Sequence, residues 1–331
     1  MPGIGNDQAT LVDVARRMGP NGGIQMIAEV LTRVNEILLD MPFYEGNLST
    51  GNVCTQRTTE PTGSYRRLNE GVSKEKSTTE QITDATAMLE SYSNVDVNIV
   101  DKAVGSKLAF RLSEDKSFAR GMAKTFATTL MYGNELVNAE RFTGFSPRYD
   151  STSTDEDNRD FNVVDGAGAG SDNTSVWLVV WGQETCHGIY PRNSKAGFQM
   201  RDRGEQTVLD DNGKQYQAYV THFKWDQGLV IKDWRYVARL ANIDVSDLAG
   251  GSAADLVNLL IELESKVPDL GSGKAVLYAN NTILTYLRKQ IIAKSNVNLN
   301  FDNVAGKRVM TFDGIPFRRV DAILNTESHV T

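Results

Sequence analysis

Apolar residues fall along this chain with two periods, and long polar stretches separate them. From Ile24 to Leu39, the residues Ile27, Val30, Leu31, Val34 and Leu38 recur at three and four positions, which predicts a helix limited by Pro42. Its apolar face has two candidate partners, its own domain or a neighbouring copy. A second stripe, Phe118, Met122, Phe126 and Leu130, predicts a helix capped by Ser113-Glu114-Asp115 and ended at Gly133. Gly121 within it costs up to ~1 kcal/mol relative to alanine, and close packing of another backbone is one explanation. Leu256, Leu259, Leu260 and Leu263 form a third helical face, with Ser252 to Asp255 at cap spacing and Pro268 beyond its end.

Strand periods are as plain. Val95, Val97 and Ile99 alternate with Asp96 and Asn98, the pattern of a half-buried strand, and Val176 to Trp181 is apolar enough for a fully buried one. An Asn212-Gly213 turn joins two further strands, and Tyr219, Thr221, Phe223 and Trp225 share one face of the second. Leu229 to Ile231 and Trp234 to Leu240 continue the apolar material.

Three polar stretches need a different account. Residues 1–23 end in Gly19-Pro20-Asn21-Gly22-Gly23 and predict a flexible arm. From Leu48 to Met88 large apolar residues are scarce, so the stretch cannot build its own core. It reads either as a solvated loop or as a long hairpin stabilised when another surface receives it. Arg57, Arg66 and Arg67 on one side and Glu70, Glu75 and Glu80 on the other would let it dock by charge. Residues 144–175 form a polar insert. Its GAGAG leads into an apolar run instead of opening a helix, which argues against a phosphate cradle. Asp155, Glu156, Asp157 and Asp160 lack the spacing and the turn glycine of a calcium loop, so a solvated acidic loop is expected.

Near the end, Lys274 to Ala279 is a short apolar strand, Asn280 and Asn281 can cap a helix, and Ile283, Leu287 and Ile291, with Leu284 beside them, give that helix one stripe. Arg288, Lys289 and Lys294 lie toward its C-terminal carbonyls. After a loop of Asn, Ser and Gly, Arg308 to Phe312 and Ile315 to Ile323 read as strands joined by an Asp313-Gly314 turn. Pro316 confines the return strand near the turn to an edge or non-bonding position.

This order, the strand AVLYA, a polar cap, an amphipathic helix, a loop, a strand and then FDGIPFRRVD, resembles the C-terminal part of tailed-phage major capsid proteins of the Hong Kong 97 type. The element order of almost the whole chain fits too, and the likeness is nearest to short-tailed phages such as the Bordetella phage group. The resemblance implies an α+β Hong Kong 97-like capsid fold. Residues 1–48 would be an N-terminal arm with helix, 49–88 an E-loop lying across the adjacent subunit, and 89–140 a peripheral domain with a long spine helix. Residues 141–306 would be an axial domain, and 307–331 the return to the peripheral domain.

The resemblance further implies a structural protein, not an enzyme, whose copies self-assemble into pentamers and hexamers of an icosahedral phage head enclosing double-stranded DNA. It would reside in the virion after assembly in the bacterial host cytoplasm. Its partners would be itself, a portal, a separate scaffolding protein because only residues 1–23 precede the first helix, and packaged DNA bound without sequence specificity. A cementing protein is also allowed. No lysine-plus-acid constellation matches the family's covalent cross-link, so non-covalent shells are expected. The rivals are an encapsulin-like nanocompartment and a carboxylate-dependent hydrolase with an insert over its cleft.

Composition narrows this little. At 331 residues the chain can bury a large core in one or two domains, and its 40% hydrophobic content is ordinary for a soluble protein. No tract is long enough to span a membrane and no secretory signal opens the chain, so it is expected to stay where it is made. Net charge of -7 argues against general affinity for nucleic acid, which suits a container that must not grip its contents. No cofactor or metal is expected. Cys54 and Cys186 lie far apart, and His187, His222 and His329 form no ligand pair at helical spacing. Cys186 and His187 are adjacent, and neighbours on a strand point to opposite faces, which disfavours a nucleophile-base pair.

Overall fold

A computed structural model describes residues 35–102, 107–210, 212–249, 255–293, 299–304 and 307–331. The arm, most of the first expected helix and the cap at 252–254 lie outside them. In chain order the elements are α1 (Ile37–Asp40), β1 (Phe43–Glu45), β2 (Gly51–Thr59), β3 (Thr78–Asp96), α2 (Val97–Lys102) and α3 (Lys107–Tyr132). There follow β4 (Val163–Asp165), β5 (Asn173–Trp181), β6 (Cys186–Tyr190), β7 (Gln199–Leu209), β8 (Gln215–Ile231), β9 (Val237–Asp244) and α4 (Leu256–Ser265). The last are β10 (Lys274–Ala279), α5 (Asn281–Ala293), β11 (Leu299–Val304), β12 (Lys307–Phe312) and β13 (Ile315–Arg319). Among the described residues, 88–127 and 197–226 make one compact unit, and 35–87, 128–196 and 227–331 the other.

The larger unit is built around β5, every residue of which is buried. It pairs antiparallel with β9 on one side and β10 on the other, and β10 pairs parallel with β13. Apolar side chains of β5, β9, β10, β12 and β13 meet Leu256, Leu260 and Leu263 of α4 and Ile283, Leu284 and Leu287 of α5 in one cluster. The α4 stripe and the described part of the α5 stripe therefore face the core, the side chain of Ile291 lying outside the described residues. Asn280 caps α5 as expected, its Oδ1 accepting the Ile283 N–H at 3.0 Å. At the Asp313-Gly314 turn the φ angles are +45° and +83°, the doubly positive geometry that a two-residue hairpin requires. Pro316 costs no bond to β10, because that pairing begins one residue later, at Phe317. Residues 299–304, read from their Asn content as loop, form β11 against β12. Ladder pairing there overrides a weak local signal.

In the smaller unit β7 and β8 form an antiparallel ribbon, its loop closed by Asp210 N–H to Lys214 O at 2.8 Å and relieved by Gly213 at φ +76°. The face of β8 expected to carry Tyr219, Thr221, Phe223 and Trp225 packs on successive turns of α3. The Arg111 guanidinium sits 4.7 Å over the Tyr219 ring. Thr221 donates to Asp115 at 3.3 Å, Phe223 stacks on Phe118 at 5.8 Å, and Trp225 meets Phe126 edge-on at 4.7 Å. The match follows from rise: fifteen helical residues advance about 22 Å and six strand residues about 20 Å, so partners stay in step.

Two local expectations are corrected here. Val97 and Ile99 belong to helix α2, not to a strand, because the Asp96 carboxylate accepts the Asn98 N–H at 2.7 Å and turns the chain. Val95, Val100 and Phe110 then form a small core with Ile99 and Tyr219. Ser113-Glu114-Asp115 does not cap α3, which already runs from Lys107. Ser113 Oγ bonds back to Phe110 O at 2.8 Å, and Asp115 is buried beside Ser93 and Thr221, where desolvation raises its carboxyl above the usual range.

The glycine within α3 and the one just after it also differ from expectation. Gly133 ends the helix through close approach instead of a left-handed turn, since a Cβ would lie 2.4 Å from Phe142 O. Gly121 has nothing within 4 Å of where its Cβ would stand and is exposed, so no neighbouring backbone explains it. Gly121→Ala is therefore expected to raise stability by about 0.5–1 kcal/mol through helix propensity alone. A lower urea midpoint in the variant would show that the position is occupied.

Candidate assembly surface

Strands β2 and β3 pair from Gly51↔Ala85 to Thr59↔Thr78, and residues 60–77 continue beyond the pairing. Four contacts fix the root of this ribbon. Asn47 accepts the Val53 N–H at 2.8 Å and donates to Val53 O at 2.7 Å, folding the entry turn back on β2. Gln56 Nε2 donates to the carbonyls of Ile231 and Lys232 at 3.1 and 2.7 Å. Asp84 meets Arg148 at 2.7 Å, both side chains largely buried. Gly51 is required by close approach, as a Cβ there would lie 2.1 Å from Asp84 O.

Arg148 comes from the 144–175 insert, which is less solvated than its composition suggested. Phe145, Tyr149, Asn162, Val163 and Val164 are buried, and Phe145 and Tyr149 pack their rings against Trp177. Its acidic turn conforms in part: Asp155, Glu156 and Asp157 are exposed, whereas Asp160 is half-buried. Burial pushes the Asp84 carboxyl up, and the neighbouring guanidinium draws it only part of the way back.

Beyond the root the ribbon stands in solvent, with every residue from 60 to 77 exposed. The six charged residues expected to dock it, Arg57, Arg66, Arg67, Glu70, Glu75 and Glu80, are all exposed. Arg57 pairs loosely with Glu60 at 3.8 Å, Arg66 donates to the Glu70 carbonyl at 3.2 Å, and Glu75 accepts the Gly63 N–H at 2.9 Å. Glu80 lies opposite Gln56 in the ladder. These contacts shape the tip without burying it. What spacing did not single out is apolar: Tyr65 is fully exposed and Leu68 is 90% exposed, flanking Arg66 and Arg67. Together they give the tip apolar surface beside its two arginines, residue types suited to an interface.

The chemistry of an enzyme is weakly represented. Cys186 and His187 are both buried on β6; burial pushes the thiol far up, while burial and the Lys232 charge lower the imidazole to about 4. A protonated thiol beside a neutral imidazole is the reverse of an activated pair. Among the described residues no group of three or more His, Cys, Asp or Glu could hold a metal, and no helix is long and apolar enough to cross a membrane.

The family model described as Major capsid protein GP7 matches residues 19–331. A solved structure of bacteriophage Epsilon15 is 34% identical, covers 100% of this chain and 99% of its own, and superposes with a TM-score of 0.78. The capsid of bacteriophage JBD30 is 12% identical over 89% of this chain and 93% of its own, with a TM-score of 0.48. The holo-SrpI encapsulin complex from Synechococcus elongatus PCC 7942 is 10% identical over 69% and 93%, with a TM-score of 0.40. A likeness to the Bordetella group in particular is not carried by these matches. No curated protein matches the chain.

Proposed function

Since the chain belongs to the family of the major capsid protein GP7, we propose that the β2–β3 ribbon is the joint by which one copy holds the next. The protein is a structural subunit of the phage head with the Hong Kong 97-type fold; its copies associate with one another, and it resides in the capsid of the virion. In our reading 49–88 is the E-loop, α3 the spine helix of a peripheral domain read over 89–140, and 307–331 the return; of the axial domain read over 141–306, residues 197–226 pack with α3 instead and belong with the peripheral domain. Pentamers and hexamers close an icosahedral shell around double-stranded DNA after assembly in the host cytoplasm, with a portal, a separate scaffolding protein and, where needed, a cementing protein. The role is structural and not catalytic, and the shell is non-covalent.

The observation that carries the joint is the exposure of the whole tip, 60–77, on a rooted base. Ordering a segment costs roughly 1–2 kcal/mol per residue in backbone entropy, and an exposed tip recovers little of it within its own subunit. A contact made on a second copy recovers it there. A ribbon on one surface and its receiver on another make a heterologous contact, which closes into rings when the rotation permits. Weak contacts then add across a shell.

Joining Thr59 to Thr78 through Asn-Gly removes the tip and spares Gln56, Asp84 and Arg148. The expected product is a folded chain that stays as soluble capsomers or smaller species in negative-stain micrographs. Normal closed shells from this variant would refute the joint.

A further inference from the structure

The larger unit carries a groove of 530 Å³ whose lining has a distinct chemistry. Its walls are apolar, made by Ile261 of α4, Val267, Pro268, Leu270 and Phe312; Ile261 is 45% exposed although Phe312 beneath is buried. Around them stand three carboxylates, Glu264, Asp269 and Asp313, and the lining includes no lysine or arginine. The nearby Lys266 is turned onto the Phe161 ring, 3.5 Å away. Burial and the Asp313 charge raise the Glu264 carboxyl, the sign of negative charge held without enough compensation. Asp269 is partly committed, accepting the Gly271 N–H at 2.8 Å and the Ser272 hydroxyl at 2.5 Å.

We propose that this groove receives the ribbon tip of a second copy, with Tyr65 and Leu68 against its apolar wall and Arg66 and Arg67 toward Glu264 and Asp313. The assignment rests on the joint proposed above and names its receiver. Complementarity carries it: the tip presents apolar, Arg, Arg, apolar in succession, and the groove presents apolar walls with a carboxylate rim. Tyrosine and arginine are the residues that most often dominate such contacts, and charge placed around them sets register.

The number of carboxylates also separates this groove from a second one. Residues 60–77 carry Arg66, Arg67, Lys74 and Lys76 against Glu60, Glu70 and Glu75. In the smaller unit a groove of 410 Å³ runs beside Ser117, Gly121 and Thr125 of α3. Its lining includes one carboxylate, Glu90, and no lysine or arginine, so it offers a basic tip one acid where the groove of the larger unit offers three.

Reversing charge on each side separately and then together tests the contact. The tip variant is R66E/R67E. The groove variant is E264K/D313N, asparagine being chosen because it tolerates the +45° φ of Asp313. Each alone is expected to lower the yield of closed particles by about tenfold or more, the effect of losing roughly 1.4 kcal/mol per contact; the four changes together restore most of it. Circular dichroism and urea midpoints confirm that every variant folds. Undiminished shells from folded E264K/D313N, or failure of the combined variant to recover, would overturn the groove assignment. If the Asn-Gly variant still loses its shells in that case, the joint stands and its receiver is elsewhere. If the Asn-Gly variant forms shells, both ideas fall.

Discussion

Glu327→Ala is expected to cost about 3–5 kcal/mol of unfolding free energy, a large part of what holds an ordinary domain together. Glu327 Oε2 meets Arg239 Nη2 at 2.9 Å with both side chains almost wholly buried. Its Oε1 accepts from Ser175 Oγ at 2.9 Å and from the Tyr132 hydroxyl. Arg239 also donates to Tyr149 O at 2.6 Å and lies over the Trp177 ring. Alanine leaves a guanidinium buried with no counter-charge, and that desolvation dominates the loss. The C-terminal segment is anchored by the same group, with Glu327 bridged to Asn173, and by Asn242, which pairs with the Val330 backbone in both directions. Intrinsic tryptophan fluorescence during urea unfolding of the unassembled chain, to which the buried Trp177 contributes, would report the change. Arg239→Met with Glu327→Leu should recover part of the loss, because a packed apolar pair can replace a buried ion pair. Recovery is partial because Ser175 and Tyr132 lose their acceptor. A single-variant loss below about 1 kcal/mol would mean that the pair is solvated.

None of this network was legible in advance, and the reason is physical. Arg239 stands within the apolar stretch Trp234 to Leu240, and periodicity reports which face of an element is buried, not what a polar residue there finds across the fold. Where burial within one element decides the outcome, sequence sufficed: β5 is buried throughout, α4 and α5 turn their stripes inward, and Asp313-Gly314 takes the turn its residues favour. Period failed at Val97 and Ile99, where one Asp96 side-chain bond outweighs alternation, and at 299–304, where the strand depends on its partner.

The candidate joint divides in the same way. Scarcity of large apolar residues identified the ribbon and its exposed charges, because exposure follows from composition. Its root was invisible, since Gln56, Asp84 and Arg148 are ordinary polar residues until the fold places them together. Tyr65 and Leu68 were passed over because two apolar residues in a polar stretch carry no period. Their weight comes only from being found in solvent.

Arg148→Met is expected to lower stability by about 3–5 kcal/mol at pH 7 and by progressively less as the pH falls. The Asp84 carboxyl is already raised by burial despite the guanidinium 2.7 Å away, and its Oδ2 has no hydrogen-bond partner among the described residues. Removing the cation raises it further. A carboxyl whose folded pKa lies above its unfolded value penalises the fold where the unfolded chain is ionised, and the penalty fades as protons neutralise the buried group. Urea midpoints at pH 7 and pH 5 should therefore converge toward wild type on acidification, and Asp84→Asn in the same chain should recover much of the loss at pH 7. A deficit independent of pH would instead assign the effect to packing and to the Thr143 carbonyl that Arg148 also bonds at 3.1 Å. Because the ribbon keeps its own ladder from Gly51 to Thr59 and the Asn47 and Gln56 contacts, a folded Arg148→Met chain loses one contact of the root and keeps the tip. Its particle yield, set against that of the Asn-Gly variant, separates the aim of the ribbon from the contact it makes.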